Sequence, residues 1–274
     1  MKKEKIFHGN ALYQPSGKAE EYSSWATNFH VGCNHDCDYC YCKKGPLSHI
    51  WTNNPQLKKC FKDESSALKQ FVTELKSHRI EVAKSGVLFS FTTDPMLEET
   101  RNLTLAASEE ALKLGVPVQI LTKNADWLFD FQTRLITTST FMENKNMMAF
   151  GFTLTGRDDL EPNASPNANR IEDMKKLHSQ GFKTFSSIEP VVEPLKSIEM
   201  IEATKDCCDV FKVGLMSGKK DYDLGELKTL FIYLNGLTSN RIYLKDSFAK
   251  NLSINRDKLP EHFVKADFNI FKNQ

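Results

Sequence analysis

The chain has almost no net charge: 36 Lys and Arg stand against 35 Asp and Glu, a formal +1 over 274 residues. That balance supplies no global field to draw the protein to nucleic acid or an acidic membrane surface, so a nucleic-acid contact would need a local basic patch. No apolar run approaches the ~18 residues of a membrane span. The charged opening MKKEKIFHGN leads into no apolar stretch of a secretion signal. These absences predict a cytoplasmic protein with no membrane partner. Low-complexity tracts, Gly/Ser linkers and breaks in composition are also missing, which predicts one domain over residues 1–274. A chain of this length buries a sizeable core without staples.

Cysteine, by contrast, is concentrated. Four of the seven thiols crowd into GCNHDCDYCYC, from Gly32 to Cys42. An odd count in a long chain argues against a disulfide framework, so clustered thiols read as metal ligands or catalytic groups. Cys33, Cys37 and Cys40 have the spacing C-x3-C-x2-C, and thiolates are soft ligands suited to iron–sulfur clusters or zinc. A structural zinc site wants a closed tetrahedron, commonly built from two pairs far apart in the chain. No partner pair of Cys or His stands at such a distance, although His35 or Cys42 could supply a fourth ligand. Three thiolates from one tight loop suit three corners of a cube, with one iron left open for a substrate or cofactor. Cys60, Cys207 and Cys208 lie away from the loop and read as small buried hydrophobes.

Apolar runs alternate with amphipathic stretches. Candidate strands are Trp25–Val31, Val87–Thr93, Val116–Thr122, Met148–Thr153, Thr184–Ile188 and Val210–Leu215, with a weaker seventh at Arg241–Leu244. Candidate helices are Ser65–His78, Thr104–Leu114, Asp126–Leu135, Asn169–Gln180, Ile198–Lys205 and Leu224–Leu237. Gly115 and Gly181 stand where a left-handed residue would end the second and fourth of these. Regular β/α alternation implies parallel strands joined by right-handed crossovers. The count of strands favours a partial (β/α)6 TIM-type barrel over a doubly wound sheet. Functional residues of barrels lie at the C-terminal ends of the strands. The cysteine loop follows the first strand directly, and Thr92-Thr93-Asp94, Thr122-Lys123-Asn124, Thr153-Leu154-Thr155 and Glu189 close later ones, so all are expected at one mouth.

The C-x3-C-x2-C loop, with the aromatic Tyr39 just before its last cysteine, resembles the radical S-adenosylmethionine (SAM) superfamily. The resemblance implies a partial six-stranded β/α barrel, here a core of about residues 22–220 with a short extension over 221–274. It further implies a [4Fe-4S] cluster on Cys33, Cys37 and Cys40, whose open iron takes the amino and carboxylate groups of S-adenosyl-L-methionine. A reductant such as flavodoxin or ferredoxin would supply one electron, and cleavage of SAM would yield a 5′-deoxyadenosyl radical that abstracts hydrogen from the substrate.

A narrower likeness, from about Trp25 to Lys220, is to the spore photoproduct lyase branch. CDYCYCK is similar to its tyrosines on both sides of the last cysteine, which implies that Tyr39 and Tyr41 help pass a hydrogen atom. FTTDP and LTKNAD resemble its Ser/Thr-Asp and Thr-Lys segments, and FGFTLT a strand whose hydroxyl residue reaches SAM. The resemblance thus implies that Thr93, Lys123 and Thr153 contact SAM, Lys123 through the carboxylate, with Asp94 at the amino group and Val213-Gly214 at the adenine. Plain structural roles are also open: Thr93 as a helix cap, Asp94 before Pro95 as a turn residue, Lys123 as a solvated strand end, the tyrosines as packing groups.

Departures from that branch carry information. Phe91 stands where the lyase has its hydrogen-donating cysteine, and Ile188-Glu189-Pro190 adds a carboxylate, Glu189, to the cofactor-binding mouth. Cys42 is a spare ligand, a replacement hydrogen donor or an inert thiol; an extended chain would point it to the same side as Cys40, whereas a turn would not. The near-neutral charge and the short extension argue against thymine-dimer repair. The substrate is therefore unidentified: a small molecule, a peptide or a nucleic acid base. Two further readings stand beside this one. The first is a DNA-repair lyase, which a basic groove from Lys219, Lys220, Arg241 and Lys245 would favour. The second is a non-enzymatic zinc or iron–sulfur protein.

Overall fold

A computed structural model describes residues 9–45, 48–128, 131–132, 139–219 and 221–272. Its main feature is an eight-stranded sheet: β1 (Leu12–Tyr13), β2 (Ala26–Thr27), β5 (Val87–Phe89), β6 (Val118–Thr122), β7 (Met148–Thr153), β8 (Lys183–Val191), β9 (Val210–Leu215) and β10 (Arg241–Leu244), in that spatial order. β1 pairs antiparallel with β2, and every later neighbour pair is parallel. The fold is α/β, with a mostly parallel sheet flanked by helices. All seven candidate strands take part, the weak one at Arg241–Leu244 included. No closed barrel is formed among the described residues.

The first strand departs from its expected course. Trp25–Val31 breaks into β2 and β3 (His30–Val31), and β3 leaves the main sheet to pair antiparallel with β4 (Gln56–Leu57). The break has a side-chain cause: Asn28 lies between the two pieces, accepting from the Phe91 N–H (2.7 Å) and donating to the Tyr13 hydroxyl (2.6 Å). Val87–Thr93 likewise stops pairing at Phe89, which leaves Ser90 to Asp94 as a loop.

Helices form where expected. Glu64–Ser77 opens with a capping box, Asp63 accepting from the Ser66 N–H at 2.7 Å and Ser66 Oγ from the Asp63 N–H at 3.1 Å. Arg101–Lys113 and Asn167–Ser179 are each followed by the expected left-handed glycine, Gly115 at φ 73° and Gly181 at φ 86°. Pro194–Thr204 begins four residues before the expected Ile198, and Leu224–Gly236 agrees with its expectation to within one residue. The candidate at Asp126–Leu135 falls partly outside the described residues.

The two faces of the sheet are buried differently. On one, Val87, Phe89, Val118, Ile120, Phe150 and Phe211 pack with helix residues such as Phe71, Leu112, Met174 and Leu230. On the other, Ala26, Leu88, Ala149, Phe185 and Val210 meet the segment carrying Phe268, Ile270 and Phe271. That segment runs beside β10, where the Val264 N–H donates to the Ile242 carbonyl at 2.8 Å. It then reaches the chain before β5, where Asn269 Nδ2 donates to the Lys84 carbonyl at 2.5 Å. Residues 221–272 thus help to build the core rather than append to it. No helix among the described residues is long and apolar enough to cross a membrane.

Candidate functional site

A cavity of about 470 Å³ opens at the C-terminal ends of the parallel strands. It brings together Cys33, Cys37, Tyr39, Cys40, Tyr41, Cys42, Thr93, Asp94, Lys123, Thr153 and Glu189, eleven residues proposed from sequence. Its size suits one small ligand.

Backbone contacts hold the cysteine loop from two sides. Gly32 enters it at φ 95°, and a Cβ there would lie 2.6 Å from the Asn54 carbonyl oxygen, so glycine alone brings the chain in. The Gly32 and Cys33 N–H groups donate to the carbonyls of Thr92 and Thr52, each at 3.1 Å. On the other side the Asp38 N–H donates to Leu160 (3.0 Å), and Asn163 Nδ2 to the Asn34 carbonyl (3.0 Å). Seven free thiols are present, none in a disulfide. Cys207 and Cys208 are buried in the core as expected, and Cys60 is half-buried. Among the described residues no three His, Cys, Asp or Glu side chains converge as ligands of one ion must. Thiols that each take a separate corner of a cluster do not need to.

His35 is not a free ligand. Its Nε2 bonds Asp94 at 2.9 Å and its Nδ1 faces the Asn163 carbonyl at 3.2 Å. Asp94 in turn accepts from Thr122 Oγ1 (2.7 Å), the Met96 N–H (2.9 Å) and the Lys123 N–H (2.7 Å). Burial alone would raise its pKa, but the charge and hydrogen bond of His35 and these donors hold it down to about 2. With four protein partners, Asp94 braces the cysteine loop against the ends of β5 and β6. These contacts fit the turn reading of Asp94 and occupy the carboxylate that the resemblance assigned to a cofactor amino group.

Lys123 is half-buried beside the thiols, its Nζ 5.6 Å from the centroid of the Tyr39 ring. Burial works against its charge, yet the negative charges of ionised Cys37 and Glu161 outweigh that and raise its pKa. Among the described residues no carboxylate lies within 4 Å of this ammonium. It is therefore neither a solvated strand end nor a neutralised ion. Thr93 caps no helix; its hydroxyl stands 3.4 Å from the Asp94 carbonyl. Thr153 is buried at the end of β7.

Tyr39 turns inward and donates to Glu161, while Tyr41 is 55% exposed and donates to the Phe91 carbonyl. Glu161 is paired with Arg170, both fully buried, at 2.6 Å. Cys42 begins no extended run: Tyr41–Lys44 is a helical turn. Even so, its thiol lines the cavity, in hydrogen-bond contact with Cys40 and 3.6 Å from the Phe91 carbonyl. That contact lowers the Cys40 pKa to about 6 and raises that of Cys42.

The opposite wall was largely unforeseen. Glu189 lies within β8, at its register shift against β9, not after the strand. One of its carboxylate oxygens accepts from Tyr22 (2.7 Å) and from Lys245 (2.6 Å). Tyr22 also meets Ser187 at 2.6 Å, and its ring lies 4.2 Å below Lys245 Nζ. Gly214 does not line the cavity. A Cβ there would lie 2.9 Å from Lys245 Cδ and 3.0 Å from Glu189, so its bareness makes room for the ion pair. Val213 packs into the helix-facing core, and the cavity wall resumes only at Leu215, Met216 and Ser217.

Nor do the described basic residues form a groove. Lys245 is 1% exposed and neutralised, Lys219 donates to the Val192 carbonyl (3.1 Å), and Arg241 sits at the other end of β10. Lys220 lies outside the described residues.

No family model matches the chain. It is similar to the uncharacterized protein ORF301 of Acidianus two-tailed virus, with 24% identity over 205 residues that cover 68% of this chain and 62% of that protein. The likeness brings no activity with it.

Proposed function

We propose that this chain is a radical SAM enzyme built on an incomplete β/α barrel, with Cys33, Cys37 and Cys40 holding a [4Fe-4S] cluster. One observation carries the reading: three thiols of a single clamped loop open onto the same cavity as the unneutralised Lys123 and the hydroxyl residues Thr93 and Thr153. The strand order of β2 and β5 to β10, which follows the chain without reversal, supports the barrel. Cluster and SAM together would supply a 5′-deoxyadenosyl radical. The chain's own part is to bind and orient. Lys123 offers the SAM carboxylate a cation, and Thr93 and Thr153 offer hydrogen bonds. Tyr39 presents a ring beside the loop, and Asp94 and His35 hold the walls at fixed spacing. The His35 contacts weigh against a zinc site completed by that residue. An external reductant, flavodoxin or ferredoxin in kind, would deliver the electron.

The substrate is unidentified. The polar wall of Tyr22, Ser187, Glu189 and Lys245 is where recognition falls in this reading. Cys42 stands beside residue 91, the position of the lyase's hydrogen donor, so it serves as donor, with Tyr41 next to it as relay. Anaerobic reconstitution tests the whole. One [4Fe-4S] cluster per chain and slow SAM cleavage to 5′-deoxyadenosine are expected; stoichiometric zinc without sulfide in the native protein would reject the proposal. With dinucleotide spore photoproduct, SAM and dithionite, no efficient repair is expected. Multiple turnovers would restore the DNA-repair reading, and their loss in Cys42→Ala would identify the donor.

A further inference from the structure

We infer that the buried Glu161–Arg170 pair is a positioning device for the cysteine loop, setting its distance from the strand ends that carry Lys123 and Thr153. The inference rests on the loop's being the cofactor site, but its geometry does not.

Arg170 is 0% exposed and Glu161 1%. The guanidinium donates from Nε to the Ser165 carbonyl (2.6 Å), from Nη1 to the Thr153 carbonyl (2.8 Å) and from Nη2 to Glu161 (2.6 Å). The other oxygen of Glu161 accepts from Tyr39, which lies between Cys37 and Cys40. Ser165 donates its N–H to the Lys123 carbonyl (3.1 Å) and its hydroxyl meets Asn124 at 3.1 Å. One planar fork is thus wired to the end of β7, to the loop after β6 and, through one carboxylate and one phenol, to the cysteine loop.

Stability alone is a weak reason for this arrangement. A buried ion pair can often be replaced by apolar residues of similar volume at little cost. What apolar residues cannot do is hold three backbone segments and a tyrosine hydroxyl at fixed directions, as a five-donor fork and a carboxylate can. Arg170 occupies the buried stripe of its helix with Met174 and Leu177, where an aliphatic side chain would pack. Neither Glu161 nor Arg170 lines the cavity, so they act through Tyr39, Thr153 and Ser165. They are positioning residues.

The test uses the metal-free protein, so it stands even if no [4Fe-4S] cluster ever assembles. Two variants separate positioning from folding: Tyr39→Phe, which removes a single hydroxyl, and the double replacement Glu161→Leu with Arg170→Met, which removes both charges together. Under anaerobic conditions the alkylation rates of Cys37 and Cys40 are followed by mass spectrometry, with core Cys207 as internal reference. Both variants are expected to raise the loop-thiol rates tenfold or more while the Cys207 rate stays as in the parent; the urea midpoint of the double variant falls, because the Thr153 and Ser165 carbonyls lose their donor. After iron loading, a changed spectroscopic response to added SAM is the matching readout. Unchanged loop rates in the folded variants would overturn the inference. So would Cys207 rising in parallel, which would make the pair an ordinary structural contact.

Discussion

The two walls of the cavity are built on opposite plans. On the cysteine side the backbone is clamped while the charge is left unpaired: Cys33 takes only backbone N–H groups, of His35 and Asp94, and Lys123 has no carboxylate within 4 Å among the described residues. On the far side the functional side chains are spent on one another, with Glu189, Lys245, Tyr22 and Ser187 in a closed set of contacts of 2.6 to 2.7 Å. Burial costs show in the thiols, since desolvation pushes Cys33 up to about 12 and raises Cys37. Desolvated thiols and a lysine gathered in one cleft mark the cysteine wall as the candidate functional one. A wall already satisfied contributes shape and selective hydrogen bonding.

Perturbing each wall should break the comparison in a predictable order. The largest effect is expected from replacing Cys33, Cys37 and Cys40 together by Ala. All bound iron should be lost by elemental analysis, while circular dichroism shows a folded chain, because the thiols sit on a loop outside the core. If the chain unfolded, the loop would be part of the core and the contrast between walls would fail.

Next comes Asp94→Asn. The folded pKa of Asp94, about 2, lies below its ordinary value of 3.8, so its contribution is present above that ordinary value and is lost as pH falls toward 2. A shift of this size corresponds to about 2 kcal/mol. Urea melts at pH 7 should show a loss of that order, and the acid limb of the stability profile between about pH 4 and 2 should flatten. An unchanged acid limb would remove Asp94 as the brace.

Lys123→Ala should weaken SAM binding to the loaded protein by about 1 to 3 kcal/mol, the scale for losing a hydrogen bond to a charged group. Calorimetric titration checks it, and equal affinity takes Lys123 out of the site. Smallest is the expected change for Glu189→Gln. SAM affinity should stay within about threefold, under 1 kcal/mol, since Glu189 answers to Lys245 and Tyr22. A loss as large as that of Lys123→Ala would return Glu189 to the cofactor and merge the two walls.

Much of the fold was legible because it rests on local signals. Strand and helix periods, and glycines such as Gly115 and Gly181 that must take positive φ, are written in short windows of sequence. The β3–β4 excursion was not, since it depends on Asn28 meeting Phe91 and Tyr13. At the site, the ligand types and their spacing in GCNHDCDYCYC were readable, whereas the supporting partners were not. Tyr39 and Glu161 are 122 residues apart, and Tyr22 and Glu189 are 167 apart. Arg170 did leave a trace, as a charge on the apolar stripe of Asn167–Ser179.

By itself, then, the order of residues determined which chemistry the chain can offer: soft thiols in one loop, a lysine and hydroxyls at strand ends, no surplus charge and no membrane-length run. Only the tertiary structure decided which of those groups are free to use it. Whether a carboxylate binds or braces depends on the donors that reach it, and those come from distant segments. Asp94 and Glu189 looked alike in sequence, as acids before a proline at a strand's end. Packing gave the first to His35, Thr122 and two backbone amides, and the second to Tyr22 and Lys245.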